Sequence, residues 1–264
     1  MRQPLGQHFL RDPHVVQTIL AAAELKPDDT VLEIGPGQGV MTRELVRRVK
    51  DVVAVELDAR LAQSLQSLPH CRIIQGDILK TDLDSLFRGV PIKILGNLPY
   101  AITSPIFEKL LAWPHWTTGV FLIQREVADR MRSGPGSRTF GILSLAVQVF
   151  AQAEIILRVK PGAFSPPPRV TSAVIRLRRK EAPDVPEPDL PFFFDLAHGA
   201  FAHRRKTLAN SLAFHVSAPK EKIESWLRTQ RIDPAARAES LGLADYARMA
   251  GPWAIFRRET NLTS

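Results

Sequence analysis

The chain has 264 residues, 45% of them apolar, a single cysteine and a formal net charge of +8. That length and apolar share argue for a folded protein of one large or two unequal domains and against extended disorder. No apolar stretch approaches the roughly 20 residues of a membrane span, and a lone cysteine excludes an internal disulfide or a thiolate metal cluster. The basic excess points to a polyanionic partner, nucleic acid or anionic membrane, and says nothing about fold. The opening stretch MRQPLGQHFL lacks the apolar middle and small-residue cleavage site of a secretory signal, so a cytoplasmic protein is expected.

Helical periodicity begins at HVVQTILAAAEL, with Pro13 suited to a first turn. Apolar runs rich in β-branched residues then recur at TVLEIG, DVVAVE, CRIIQGD, IKILGN and GVFLIQ, and the stretches VMTRELVRRV, ARLAQSLQSL, SPIFEKLLAW and REVADRMRS supply helices. Strands alternating with helices predict a parallel sheet covered on both faces, with Cys71 a buried strand residue. AEIILRV and SAVIRLR are joined by KPGAFSPPPR, too short for a helical crossover, so these two predict an antiparallel pair and complete seven strands. Residues 181–195 hold five acids and no Lys or Arg. From near residue 190, after a Pro-rich acidic linker, PFFFDLAHGAFA, RRKTLANSLAF, PKEKIESWLRTQ and LADYARMAGPWAIF read as helices of a second, all-helical domain.

The chemistry concentrates at the strand ends. Gly35, Gly37 and Gly39 follow the first strand of the alternating pattern and precede a helix, where glycine allows a tight turn and close approach of backbone to a ligand. Val40 stands where a dinucleotide fingerprint requires its third glycine, which favours S-adenosylmethionine over NAD. Glu56 ends a strand about twenty residues further on, where a carboxylate can accept from both ribose hydroxyls. Asp77 can accept from an adenine amine while Ile78 packs on the ring. Singly, either acid reads as well as a surface residue or helix cap; three acceptor-bearing strand ends in order do not.

The segment GNLPY leaves its strand through an amide, a proline and an aromatic ring. Pro99 fixes its own φ and biases Leu98 toward an extended conformation, so the Leu98 carbonyl and the Asn97 side chain can point outward together as two acceptors. Such a pair favours a pyramidal amine nitrogen and stabilises positive charge developing on it. Tyr100 can stack on the base. Phe164, on the stiff loop FSPPPRV, is presented as a second aromatic for a base that is single-stranded or flipped out.

GQHFL, EIGPGQG, ELD, GDIL, GNLPY and FSPPPRVTSAV, in this order, resemble the rRNA adenine N6,N6-dimethyltransferases, within them the bacterial small-subunit branch, and AFAHRRKTLANSL extends the likeness into the helical part. The resemblance implies an α/β fold, a Rossmann-like seven-stranded class I methyltransferase domain over residues 1–180, followed by a linker over 181–190 and a small all-helical rRNA-binding domain over 191–264. It implies S-adenosyl-L-methionine held by Gln7, His8, Leu10, Gly35, Gly37, Glu56, Leu57, Asp77, Ile78 and Asn97. It also implies a catalytic set of Asn97, Leu98, Pro99 and Tyr100, with Phe164 packing on the target base opposite the tyrosine. The implied product is two adjacent N6,N6-dimethyladenosines in the loop near the 3′ end of 16S rRNA, made on an assembling 30S subunit by a monomer that needs no metal.

Arg204, Arg205 and Lys206, with Arg43, Arg47, Arg48 and Lys50, are candidates for phosphate contacts and predict salt-sensitive RNA binding. Any one of them alone reads as solvated surface. The competing readings are a macrolide-resistance type of large-subunit rRNA dimethyltransferase, a non-catalytic assembly factor on the same fold, and a nicotinamide oxidoreductase. The intact Asn97, Tyr100 and Phe164 count against the second and the glycine spacing against the third.

Overall fold

The computed structural model describes residues 8–259. Within them the chain divides into two compact units, one taking in residues up to Ala128 and Ala151–Lys180, the other Asp129–Phe150 and the chain from Glu181 onward.

In chain order the first unit contains β1 (Phe9–Leu10), α1 (Pro13–Ala22), β2 (Thr30–Ile34), α2 (Thr42–Leu45), β3 (Asp51–Glu56), α3 (Ala59–Leu65), β4 (Cys71–Gln75), α4 (Leu83–Phe87), β5 (Ile92–Asn97), α5 (Thr103–Ala112) and β6 (Trp116–Gln124). The division falls within α6 (Arg125–Met131), and α7 (Ile142–Phe150) belongs to the second unit. β7 (Ala151–Val159), β8 (Phe164–Ser165) and β9 (Ser172–Arg179) return to the first.

Seven strands form one sheet in the order β4-β3-β2-β5-β6-β9-β7. The first five pair in parallel, while β9 runs antiparallel to both β6 and β7, as the short KPGAFSPPPR connection requires. Strand order reverses at β2, which has β3 on one side and β5 on the other. Open sheets of this kind bind ligands outside the C-terminal strand ends at that switch point. Val120 and Leu122 of β6 join the cluster packed under α1. Phe121, pointing the other way on the same strand, meets Phe107 of α5 edge-on at 5.0 Å, so helices cover both faces. Asp12 caps α1 by accepting from the His14 amide with Pro13 at the first helical position, and Asp58 caps α3 by accepting from the amides of Arg60 and Leu61.

The sequence pattern predicts helix over VMTRELVRRV, yet α2 covers only Thr42–Leu45 before the chain breaks into turns. It predicts nothing over Ile142–Phe150, a mostly apolar run that forms the largely buried helix α7. A short, mostly apolar run does not separate helix from strand by periodicity alone. A single boundary at residue 180 also differs from the compact division, because Asp129–Phe150 clusters with the C-terminal helices. The 181–190 stretch is likewise part of that unit, with Val185 fully buried.

The second unit adds α8 (Leu190–Phe201), α9 (Leu208–His215), α10 (Lys220–Thr229) and α11 (Leu243–Glu259) around Phe193, Tyr246 and Trp253. Asp195 of α8 accepts from Trp253 Nε1 of α11 and from His215 Nε2 of α9, each at 2.7 Å, tying three helices through one carboxylate. Burial works against its ionisation, but these hydrogen bonds and the positive charge of Arg257 outweigh burial and hold the carboxyl below its ordinary range.

Candidate active site

The switch point opens into a cavity of about 260 Å³ in the first unit. Its wall is assembled from the ends of four parallel strands. Gly35 follows β2 with φ +68° and donates its N–H to the Val55 carbonyl at 2.9 Å; a side chain there would be strained by that backbone conformation. Gly96 lets β5 lie against β2, since a Cβ on it would meet the Ile34 carbonyl oxygen at 2.9 Å.

Glu56, 4% exposed at the end of β3, accepts the Gly37 N–H on Oε2 at 3.0 Å and the Asp58 N–H on Oε1 at 2.9 Å. Each carboxylate oxygen keeps a second lone pair for a ribose hydroxyl. Asp77, after β4, accepts the Leu79 N–H on Oδ1 at 2.9 Å, and Ile78 and the half-exposed Leu57 supply apolar surface beside it. Lys109 of α5 pins this loop from outside, donating to the carbonyls of Leu79 (3.1 Å) and Thr81 (2.5 Å).

At the end of β5 the Asn97 side chain donates Nδ2–H to the His8 carbonyl at 3.0 Å, which leaves Oδ1 as the free face of the amide. The Leu98 N–H is used by the Leu122 carbonyl at 3.0 Å, whereas the Leu98 carbonyl accepts no hydrogen bond among the described residues. Pro99 (φ −59°) turns the chain, and its carbonyl is tied back by the Ile102 N–H and the Thr103 hydroxyl. Tyr100 lines the cavity with its hydroxyl bonded to Ser172 Oγ at 2.7 Å and its ring 5.8 Å from that of His8. Burial pushes the Tyr100 pKa above its ordinary value, so the phenol stays neutral. His8 is itself held by donating Nδ1–H to the Pro166 carbonyl at 2.8 Å.

Thus His8, Leu10, Gly35, Gly37, Glu56, Leu57, Asp77, Ile78, Asn97, Leu98, Pro99 and Tyr100 all line one cavity. Gln7 lies outside the described residues. Phe164 is placed elsewhere. It is 4% exposed, absent from the cavity lining, and packed in the core cluster with Leu10 and Val159. The pairing of β8 with β1, Leu10 opposite Phe164, holds it beside the segment that carries His8. Arg204, Arg205 and Lys206 are exposed in the second unit, but Arg204 is engaged by the carbonyls of Arg138 and Phe140. Arg47 and Arg48 pair with Glu44 of their own helical run.

Two lining residues escape the motif reading. Phe9 lies beneath the glycine loop, 3.2 Å from where a Gly37 Cβ would stand. Glu33 of β2 is 1% exposed, lines the cavity, and has no hydrogen-bond partner on either carboxyl oxygen among the described residues. Burial pushes its pKa from 4.5 up to about 8, opposed by nearby Thr42, which does not reach hydrogen-bond geometry, and reinforced by Glu56. The signal was there: one acid in the otherwise apolar strand VLEI. An orphaned buried carboxyl calls for a cationic partner, Glu56 for a diol and Asp77 for an amine. Together they fit S-adenosylmethionine, which carries an ammonium group, a ribose and an adenine.

Residues 1–253 match the family described as ribosomal RNA adenine dimethylase. The chain belongs to that family. This rRNA adenine dimethylase is 42% identical over 264 residues to a ribosomal RNA small subunit methyltransferase A of Lachnoclostridium phytofermentans, covering 94% of this chain and 90% of the relative. It is 40% identical to the protein of the same name from Geobacillus thermodenitrificans, covering 94% and 89%. Among solved structures, the crystal structure of 23S rRNA methyltransferase ErmE superposes at a TM-score of 0.69 with 29% identity, covering 93% of this chain and 99% of that one. A dimethyladenosine transferase from Plasmodium falciparum superposes at 0.75 over 97% and 99% of the two chains; at 23% identity it supports the fold. The family and the sheet make the dimethylase an S-adenosylmethionine-dependent methyltransferase of the class I fold acting on rRNA. Among the described residues no helix is long and apolar enough to cross a membrane, and no His, Cys, Asp and Glu cluster has the makings of a metal site.

Proposed function

We propose that this dimethylase transfers methyl groups to N6 of two adjacent adenosines in the loop near the 3′ end of 16S rRNA, acting as a monomer on an assembling 30S subunit in the cytoplasm. Identity of 40 to 42% to small-subunit enzymes, against 29% to a large-subunit one, supports this over the macrolide-resistance reading.

Glu33, Glu56, Asp77 and Ile78 would hold S-adenosylmethionine, with Gly35 and Gly37 giving it room. When bound, the cofactor supplies a methyl group activated by a sulfonium. The chain's own part is to prepare the amine. Asn97 Oδ1 and the Leu98 carbonyl accept its two hydrogens, which draws the lone pair out of conjugation with the purine and stabilises the positive charge that develops on nitrogen. No base is needed beforehand, and the proton can leave to water afterwards. Tyr100, neutral and fixed by Ser172, offers its face to the base, a contact worth roughly 1–3 kcal/mol in single-strand recognition. Orientation supplies much of the remainder, up to about 7–11 kcal/mol in favourable cases.

The observation that carries this reading is the Asn97 amide, its nitrogen committed to the His8 carbonyl and its oxygen left free at the cavity. Mass spectrometry of rRNA oligonucleotide fragments, after incubating small and large subunits lacking the modification separately with the protein and S-adenosylmethionine, tests it. Dimethyladenosine at two neighbouring positions is expected; methylation only of large-subunit rRNA, or of neither, overturns it.

A further inference from the structure

Thr103 is the first residue of α5, 2% exposed, and absent from the cavity lining. Ser and Thr near a helix start commonly accept from a free first-turn amide. This hydroxyl is turned away from its own helix and donates to the Pro99 carbonyl at 2.9 Å. That carbonyl does not need the contact to be satisfied, because it already accepts the Ile102 N–H at 3.2 Å. What the second bond adds is direction.

Direction matters for the residue before the proline. Two torsions of Pro99 relate the Leu98 carbonyl to the start of α5. The pyrrolidine ring holds the first, φ, at −59°, and the second, ψ, at 128°, turns the carbonyl that Thr103 grips. With both held, the Leu98 peptide can tilt only if α5 moves. The helix is well anchored: Ile106, Phe107, Leu110 and Leu111 are each at most 2% exposed, and Phe107 packs edge-on against Phe121 of β6. Elsewhere in the segment, the Asn97 amide is held by the His8 carbonyl, the Leu98 N–H by the Leu122 carbonyl and the Tyr100 hydroxyl by Ser172. Thr103 supplies the restraint on the remaining residue, Pro99.

We propose that Thr103 is a positioning residue for methyl transfer: its hydroxyl, acting through the Pro99 carbonyl, fixes the angle at which the Leu98 carbonyl accepts from the target amine. The inference deepens the proposed function and rests on its pair of acceptors, Asn97 Oδ1 and the Leu98 carbonyl. A transition-state acceptor a few tenths of an ångström out of place loses part of its advantage, although nothing that binds the substrate has changed.

The test compares Thr103→Val, which keeps the branched shape and removes the donor, with Thr103→Ser, which keeps the donor and removes a methyl. Single-turnover methylation of small subunits lacking the modification is read beside titrations of S-adenosylmethionine and of the subunit. The valine variant should be about two- to tenfold slower at saturation, the worth of one neutral hydrogen bond, with both Kd values unchanged, and the serine variant should run at the parent's rate. Pro99→Ala frees the other torsion, so adding Thr103→Val to it should slow the reaction little further. Fully additive losses would overturn the route through this carbonyl. A hydroxyl that only braced the fold would give a lower melting temperature with the parent's rate in the valine variant, and that outcome overturns the proposal, as does a serine variant as slow as the valine one. Should Thr103→Val fail to fold, Thr103→Ser against Thr103→Ala makes the same comparison of hydroxyl present and absent. Each of these failures leaves the acceptor pair standing, whereas an Asn97→Ala variant as fast as the parent would strike the pair itself.

Discussion

The Asn97 side chain and the His8 carbonyl are hydrogen bonded at 3.0 Å across 89 residues of sequence. Because a carbonyl can only accept, the contact fixes which end of the amide faces the cavity. Asn97→Ala should lower kcat by about 10²–10³, the usual cost of removing one transition-state hydrogen-bonding group, with cofactor affinity largely kept. Asn97→Asp should fare little better despite its extra oxygen, since a carboxylate would oppose the His8 carbonyl. Single-turnover methylation beside a cofactor titration separates the two effects.

Tyr100 and Ser172 make a second testable pair. Tyr100→Ala should raise KM for RNA while leaving cofactor affinity within a few fold, and Tyr100→Phe should retain most of the activity at a stability cost of about 0.5–1.5 kcal/mol. Equal losses of RNA and cofactor binding in Tyr100→Ala would show that the ring belongs to the cofactor.

Phe164 distinguishes the core from the clamp. As a buried residue it predicts that Phe164→Leu costs about 1 kcal/mol of stability and leaves KM for RNA unchanged. A variant as stable as the parent but poor at binding RNA would return the ring to the base.

Glu33 predicts a pH signature. A carboxyl ordinarily near 4.5 and pushed up to about 8 in the fold binds its proton more tightly folded than unfolded. Stability that is whole below about pH 4.5 is therefore lost as pH rises toward 8, with a slope of up to about 1.4 kcal/mol per pH unit. Glu33→Gln should flatten that loss, so that its melting temperature exceeds the parent's most clearly near pH 8 to 9, while S-adenosylmethionine binds it more weakly. Parallel melting curves across the range would show that the carboxyl is ionised in the fold throughout.

Lys109 holds the Asp77 loop by donating to the Leu79 and Thr81 carbonyls. Lys109→Met should loosen the Asp77 loop and weaken cofactor binding about tenfold, about 1.4 kcal/mol, with kcat at saturating cofactor nearly unchanged. A fall in kcat with Kd intact would place its effect on α5 and the segment after Tyr100.

Most of the cavity is legible in the sequence because its residues sit at the ends of strands, and strands announce themselves by apolar runs. Glycine, acid and amide then fall at those ends in register. What depends on contacts distant in sequence is not legible. Nothing local reveals that FSPP pairs with HFL, and so Phe164 reads as a surface aromatic while the β1–β8 ladder turns it inward. Arg138 looks like any charge in a glycine-rich loop until Arg204 is found bonded to its carbonyl. Glu33 hides because a single acid between apolar neighbours suggests a half-exposed strand, and β2 is buried almost throughout.

The ladder between β1 and β8 also sets an order of assembly. Phe9 and Leu10 leave the ribosome well before their partners, Ser165 and Phe164, which are synthesised more than a hundred and fifty residues later. Until then the His8 carbonyl has no fixed place and the Asn97 amide nothing to orient it. A nascent chain could thus close most of its central sheet and still be chemically inert, its activity arriving only when the tail of the domain returns to fasten the beginning.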